Sequence, residues 1–262
     1  MLNSKLRIAF AGDRDIGANC LKFLVDQKIY PSALFVSSEK RASHKQILED
    51  LCFFLPKDRI FVGKQFREPR SVEILKSLNL DYIIGVHFPY IVPQDILNIP
   101  KYGFLNLHPA YLPFNRGWHT PSWAILENTP IGATLHFMDE GVDTGDIVSQ
   151  KKLEIIPADT ANTLYVKLKK LEYELFVESI PKLLNGEPPR LQQEKNVGTI
   201  HKKRDLFNDE IQKLDLESID SVTNILTRLR ALTTNRIEEA AFFELGGKKY
   251  RVQIHIEEQQ SE

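Results

Sequence analysis

The sequence predicts an α/β fold: a mostly parallel sheet with helices on both faces, followed by a small C-terminal region of helix and β-hairpin. Three observations predict it. Short apolar runs alternate with helical patterns through the first part of the chain, the rhythm of strand–helix–strand units whose strands run parallel. The first apolar run ends in a Gly12-Asp13 turn and passes directly into helical spacing. A length of 262 residues, against about 150 per domain, suits one sizeable core and a smaller appendage. Together they describe a Rossmann-like sheet, in which ligands gather at the carboxyl ends of the strands.

Taken in order, residues 6–11 are the first strand, after which Ile16, Cys20, Phe23 and Leu24 recur on one helical face. Residues 33–36 form a second strand, 45–52 a helix, 60–62 a third strand, 70–78 a helix with Glu73 and Lys76 outside, and 81–86 a fourth strand. Residues 104–107 read as a buried strand running into HPAYLPFNRGWHTP, a loop whose prolines and glycine oppose regular structure. A short helix over 122–127 precedes strands at 132–137 and 146–153, which flank the acidic, glycine-punctuated MDEGVDTGD. Leu164, Leu168, Leu171, Leu175 and Ile180 mark a long amphipathic helix over 160–184, capped by Asp159 or Thr160. After NGEPPR the composition turns polar, which divides the chain into residues 1–190 and 191–262. The second part carries a helix over 218–231 and two strand-like runs joined at Gly246-Gly247 as a hairpin.

Charge narrows the class of partner. Lys+Arg 34 against Asp+Glu 35 gives a net charge of -1, with 42% hydrophobic and 26% charged residues, an ordinary globular balance. Such a surface gives no electrostatic reason to expect nucleic acid or an anionic membrane as partner. Cys20 and Cys52 alone make neither a disulfide scaffold nor a cysteine zinc site, which fits a reducing, cytoplasmic setting. MLNSKLRIAFAGD lacks the pattern of an export signal. The most apolar window, YIIGVHFPYIVP, holds His87 and two prolines and falls short of the roughly 18 residues that span a bilayer.

The chemistry concentrates at N-L-H. On a strand Asn106 and His108 share one face while Leu107 turns into the core, so an amide and an imidazole stand together at a carboxyl end. The next loop supplies LPxxRG (Leu112, Pro113, Arg116, Gly117), and GVDTGD supplies a carboxylate, Asp143, able to fix an imidazole tautomer.

FLNLHPAYLPFNRG followed by IGATLHFMDEGVDTGDIVSQ resembles the signature of the formyltransferases that use N10-formyltetrahydrofolate, with the elements in the family's order over roughly residues 6–184. The resemblance implies a catalytic trio of Asn106, His108 and Asp143 in a domain of residues 1–190. It also implies a folate pocket from the loop after the fourth strand (Phe88, Pro89, Tyr90, Ile91, Val92) and the acidic loop (Met138, Asp139, Glu140, Gly141, Val142). A neutral amine attacks the formyl carbon, Asn106 and His108 steady the oxyanion, and an imidazole moves the proton, with no metal and no covalent intermediate required.

Members of that family act on methionyl-tRNA, on glycinamide ribonucleotide or on nucleotide-linked amino sugars. Residues 201–262 hold 10 Lys+Arg against 12 Asp+Glu, which does not suit tRNA. GWHTPSWAI resembles the sugar N-formyltransferases, which places Arg116, Trp118 and His119 beside the acceptor, with Arg14 reaching a pyrophosphate from the first helix. The expected reaction is formylation of a dTDP- or GDP-4-amino-4,6-dideoxyhexose for surface polysaccharide such as O-antigen. Methionyl-tRNA formyltransferase and a formyltetrahydrofolate hydrolase are the alternatives. His136 is expected to line the site or to be satisfied in the core, and residues 202–204 to form a solvated basic run. Apolar residues on the hairpin (Phe242, Phe243, Leu245, Tyr250, Val252, Ile254, Ile256) exceed what a lone hairpin buries, so a homodimer through the C-terminal region is expected.

Overall fold

A computed structural model describes residues 6–38, 44–186, 188–194 and 196–259; the first five residues of the N-terminal segment and Glu187 of NGEPPR lie outside these. The elements follow in the order β1 (Ile8–Gly12), α1 (Arg14–Asp26), β2 (Leu34–Val36), α2 (Lys45–Leu51), β3 (Ile60–Val62), α3 (Pro69–Ser77), β4 (Tyr82–Val86), α4 (Gln94–Leu97) and β5 (Gly103–His108). Next come β6 (Arg116–Gly117), α5 (Thr120–Leu126), β7 (Ile131–Phe137), β8 (Ile147–Leu153), α6 (Ala161–Asn185), β9 (Ile200–His201), α7 (Asp209–Gln212), α8 (Val222–Leu232), β10 (Ala241–Leu245) and β11 (Lys248–Val252). The chain packs as two compact units interleaved in sequence. One comprises residues up to 108 with 133–151 and 172–193; the other comprises 109–132, 152–171 and the residues from 194 onward. The composition shift near 185–200 carries no trace of this interleaving, which follows packing in space.

The first unit is built on a seven-stranded sheet ordered β3-β2-β1-β4-β5-β7-β8. β1 pairs in parallel with both β2 and β4, and β4 pairs in parallel with β5. All five residues of β1 and of β4 are buried, as expected of parallel strands covered on both faces. Phe35, Phe61, Phe66 and Ile83 anchor one apolar cluster. The strand order reverses between β1 and β4, and there the Asp13 amide donates to the Val86 carbonyl at 3.3 Å. Asp13 also caps α1, its Oδ1 accepting from the Arg14 amide at 2.7 Å while Oδ2 accepts from Ser37 Oγ at 2.9 Å. β7 then runs antiparallel to β5 and closes the parallel series.

The second unit corrects one expectation. The loop after His108 is not free of regular structure, because Arg116 and Gly117 form β6 and pair in parallel with Ile200 and His201 of β9. A two-residue strand is set by its partner, which is remote in sequence. α5 begins at Thr120, with Pro121 in a first turn where its missing N–H is harmless. Of the two candidate caps for α6, Thr160 fills the role: its Oγ1 accepts from the Thr163 amide at 3.3 Å, and Thr163 Oγ1 accepts from the Thr160 amide at 2.9 Å. α8 starts at Val222, later than expected, because Ser221 supplies the cap by accepting from the Asn224 amide at 3.0 Å. Gly246 and Gly247 take φ 57° and 72°, the left-handed pair that a two-residue hairpin turn requires. Phe242 is buried, whereas Leu245 and Tyr250 are 61% and 43% exposed, and Phe243 stacks on Tyr250 at 5.2 Å. Among the described residues no helix is long and apolar enough to cross a membrane.

Candidate active site

The carboxyl end of β5 behaves as alternation requires: Leu107 is 1% exposed in the core, and the half-buried Asn106 and the 7% exposed His108 flank it. Asp143 arrives from the loop between β7 and β8 with φ 53°, a left-handed backbone uncommon outside glycine. Its Oδ2 lies 3.4 Å from His108 Nε2, so the amide, the imidazole and the carboxylate read from sequence are brought together within one unit. Gly145, two residues on, packs against the Phe137 carbonyl so closely that a Cβ would collide with it.

A fourth group joins them. The antiparallel register places His136 of β7 directly opposite Asn106 of β5, and the Asn106 amide nitrogen lies 3.4 Å from His136 Nε2. The same Nε2 lies 3.6 Å from Asp143 Oδ1, so the carboxylate sits between two imidazoles. His136 Nδ1 is 2.7 Å from the Phe137 carbonyl, which can only accept, so the ring proton is on Nδ1 and Nε2 is the acceptor that faces Asn106. The sequence leaves His136 either lining the site or satisfied in the core; the register with β5 gives it Asn106 as its neighbour.

Burial pushes the His136 pKa down to about 4, against the opposing pull of the Asp143 charge and with help from His108. The ring is therefore neutral at physiological pH. Because the unfolded chain, with an ordinary histidine near 6.5, binds a proton that the folded state refuses, stability is full above pH 6.5 and is lost as pH falls toward 4. The loss amounts to roughly 3 kcal/mol. We expect His136→Met to flatten the decline of Tm between those two pH values. A variant that declines as steeply as the wild type would contradict this account.

The expected folate segment divides in two. Tyr90 is buried, its hydroxyl accepting from the Ser38 amide at 3.1 Å and lying 3.2 Å from Ser38 Oγ, so its side chain serves the core. Val92 is likewise buried. Phe88 and Pro89 are half-buried, with the Phe88 ring 5.6 Å from Phe66 and 6.1 Å from Phe35, and Ile91 is 84% exposed while its carbonyl accepts from Arg67. In the acidic loop Asp139 Oδ1 accepts from the Gly141 amide at 3.1 Å and from Thr144 Oγ1 at 2.6 Å, which folds the loop back on itself. Met138 is half-buried against the cluster of Phe35, Phe61 and Phe66, and Glu140 and Val142 are exposed. Arg14, the first residue of α1, is exposed with φ 61°.

The remaining candidates belong to the second unit. The Arg116 amide donates to the Thr199 carbonyl at 2.9 Å, and the Trp118 amide to the His201 carbonyl at 3.0 Å. Trp118 is 40% exposed, with the Lys203 ammonium 5.1 Å from its ring centroid, and residues 202–204 are all exposed, as expected of a solvated basic run. His119 Nε2 donates to the Lys203 carbonyl at 3.2 Å, and burial lowers the pKa of its imidazole.

Comparison with known proteins follows the same lines. Residues 7–180 match the formyl transferase family, and residues 207–258 match the N-formyltransferase dimerization C-terminal domain. A methionyl-tRNA formyltransferase of Clostridium perfringens (strain SM101 / Type A) is 33% identical over 217 residues, spanning 80% of this chain and 69% of its own. Among solved structures, a 4-N formyltransferase from Francisella tularensis superposes with a TM-score of 0.80 at 24% identity, covering 97% of this chain and 99% of its own. An N-formyltransferase from Helicobacter canadensis, solved with folinic acid and dTDP-3-aminofucose, gives 0.70 at 21% identity over 93% of this chain and 86% of its own. With the N-L-H strand, the LPxxRG loop and the DxGD carboxylate on one matched stretch, the chain belongs to the formyl transferase family and is a formyl-transferring enzyme.

Proposed function

We propose that this enzyme moves the formyl group of N10-formyltetrahydrofolate to the amine of a nucleotide-linked amino-dideoxy sugar, such as a dTDP- or GDP-4-amino-4,6-dideoxyhexose. Residues 1–190 would carry the transfer and 191–262 an accessory region. What carries the reading is the cluster itself: Asn106, His108 and Asp143, with His136 fixing the Asn106 amide, linked by contacts of 3.4 and 3.6 Å. As the amine attacks the formyl carbon, the carbonyl oxygen becomes an oxyanion, and Asn106 Nδ2 donates to it, joined by the His108 ring once that ring carries the amine's proton. The His108 imidazole then takes the proton of the attacking amine, and the Asp143 carboxylate at 3.4 Å stabilises the imidazolium until that proton passes to the departing N10 nitrogen. The half-buried Phe88 and Pro89, with the backbone of residues 138–142, suit the flat ring of the folate.

The acceptor is supported by chemistry on the second unit. Trp118 offers an exposed aromatic face with a cation beside it, suited to a hexose ring and its phosphates, together with Arg116 and His119, while Arg14 is the candidate for the pyrophosphate. The identity to a methionyl-tRNA formyltransferase favours the second reading, tRNA as acceptor, but the 10 basic against 12 acidic residues over 201–262 oppose it. The test is a panel of nucleotide-linked amino sugars incubated with the formyl donor and read by mass spectrometry. Gain of one formyl group on a sugar supports the proposal. Formylation of methionyl-tRNA alone, or formate release with no acceptor, overturns it.

The hairpin face of the half-buried Phe243 and the exposed Leu245 and Tyr250 is the proposed contact of a homodimer, since an isologous twofold axis lets one apolar patch cover itself. In sedimentation at micromolar concentration the full chain should run as a dimer, and Leu245→Glu with Tyr250→Glu as a monomer. A monomeric wild type removes the dimer from the proposal. A cytoplasmic enzyme that feeds surface polysaccharide assembly completes it.

A further inference from the structure

We infer that Gln193 is a positioning residue for formyl transfer, its side-chain amide holding the backbone that presents Asp143; the inference rests on the reading of Asp143 as a catalytic group. Asp143 occupies the left-handed region at φ 53°, which a residue with a Cβ enters only when its surroundings hold it there. Gln193 Nε2 donates to the Asp143 carbonyl at 2.9 Å and to the Gly145 carbonyl at 2.8 Å. An amide NH2 has two protons, and here they meet the carbonyls on either side of Thr144, so the turn is clamped at both ends.

The stretch that delivers Gln193 is itself tied down. Leu191 and Ile147 exchange backbone hydrogen bonds of 2.8 and 3.0 Å, fixing the stretch to the strand that leaves the loop. The Arg190 guanidinium lies 3.6 Å from the Phe137 ring centroid, on the strand that enters it, and 3.8 Å from the Asp146 carboxylate. Gly145, whose carbonyl Gln193 binds, is also pressed on the Phe137 carbonyl, so the turn meets the strand that enters it at close range. Composition reads residues 190–193 as the edge of a polar linker, because what they bind is backbone, which leaves no mark on the sequence.

Gln193→Met keeps the length and volume of the side chain and removes both donors. Its kcat should fall roughly 10- to 100-fold, the scale of a small misplacement of a reacting group, with KM for donor and acceptor within about threefold of wild type. The decisive measurement is a double-mutant cycle with Asp143→Asn. If Gln193 acts through Asp143, adding Gln193→Met to Asp143→Asn changes kcat by less than about twofold. Full activity of folded Gln193→Met, or losses that multiply in the double variant, overturns the inference. Should Gln193→Met not fold, Gln193→Asn, which keeps the amide but cannot span both carbonyls, takes its place under the same criteria. An Asp143→Asn enzyme with wild-type turnover would instead overturn the reading of Asp143, a result distinct from either failure of Gln193.

Discussion

Replacing His108 or Asn106 by alanine is expected to lower turnover by roughly 100- to 1,000-fold, the scale of losing a proton-transfer group or an oxyanion donor. The geometry makes the two losses different. His108→Ala removes the imidazole that Asp143 faces at 3.4 Å, so the attacking amine has no base in the site; turnover should fall across the range, with the acid limb then set by the amine alone. Asn106→Ala removes an amide whose nitrogen is set 3.4 Å from the bare Nε2 of His136, so it should lower kcat with little change in the acid limb. Both residues end a strand whose hydrogen bonds are made by backbone, and the core neighbour Leu107 is untouched, so circular dichroism should stay as in the wild type. Steady-state formylation across pH 5–9 checks both; either folded variant with near-native turnover would sink the assignment.

The second large effect is on stability. His87 follows β4 with φ 52°, and its Nε2 lies 2.9 and 3.0 Å from the two carboxylate oxygens of Glu172 on α6. The side chains are 6% and 0% exposed, and burial, reinforced by the Glu172 charge, pushes the neighbouring Cys20 thiol well up. Among the described residues the Glu172 carboxylate has no other side-chain hydrogen-bond partner. His87→Ala therefore strands a buried carboxylate, which costs about 3–5 kcal/mol. Thermal denaturation should show a Tm lower by roughly 10 °C. Adding Glu172→Leu removes the stranded carboxylate and should recover most of the loss, since an apolar side chain buried there needs no partner. If His87→Ala melts with the wild type, or the double variant is no more stable than the single, this account of the pair is wrong.

Strands and helices of the first unit were legible because parallel strands covered on both faces must be apolar throughout, and residues 8–12 and 82–86 are. The hairpin was legible for a similar local reason: Gly246 and Gly247 accept left-handed φ values that other residues resist. β6 escaped notice because its pairing with β9 joins residues more than 80 positions apart.

The candidate site divides along the same line. Asn106 and His108 share a strand face by the two-residue period of a β-strand, and the order of N-L-H, LPxxRG and DxGD marks the family; the sequence by itself determined these. Tertiary structure alone decided that His136 stands opposite Asn106, that Asp143 lies between two imidazoles, that Tyr90 belongs to the core, and that Gln193 reaches the Asp143 and Gly145 carbonyls. The reason is physical. Local spacing fixes which side of its own backbone a residue occupies, but strand register, and contacts to backbone carbonyls that every residue type carries alike, arise only when distant segments pack.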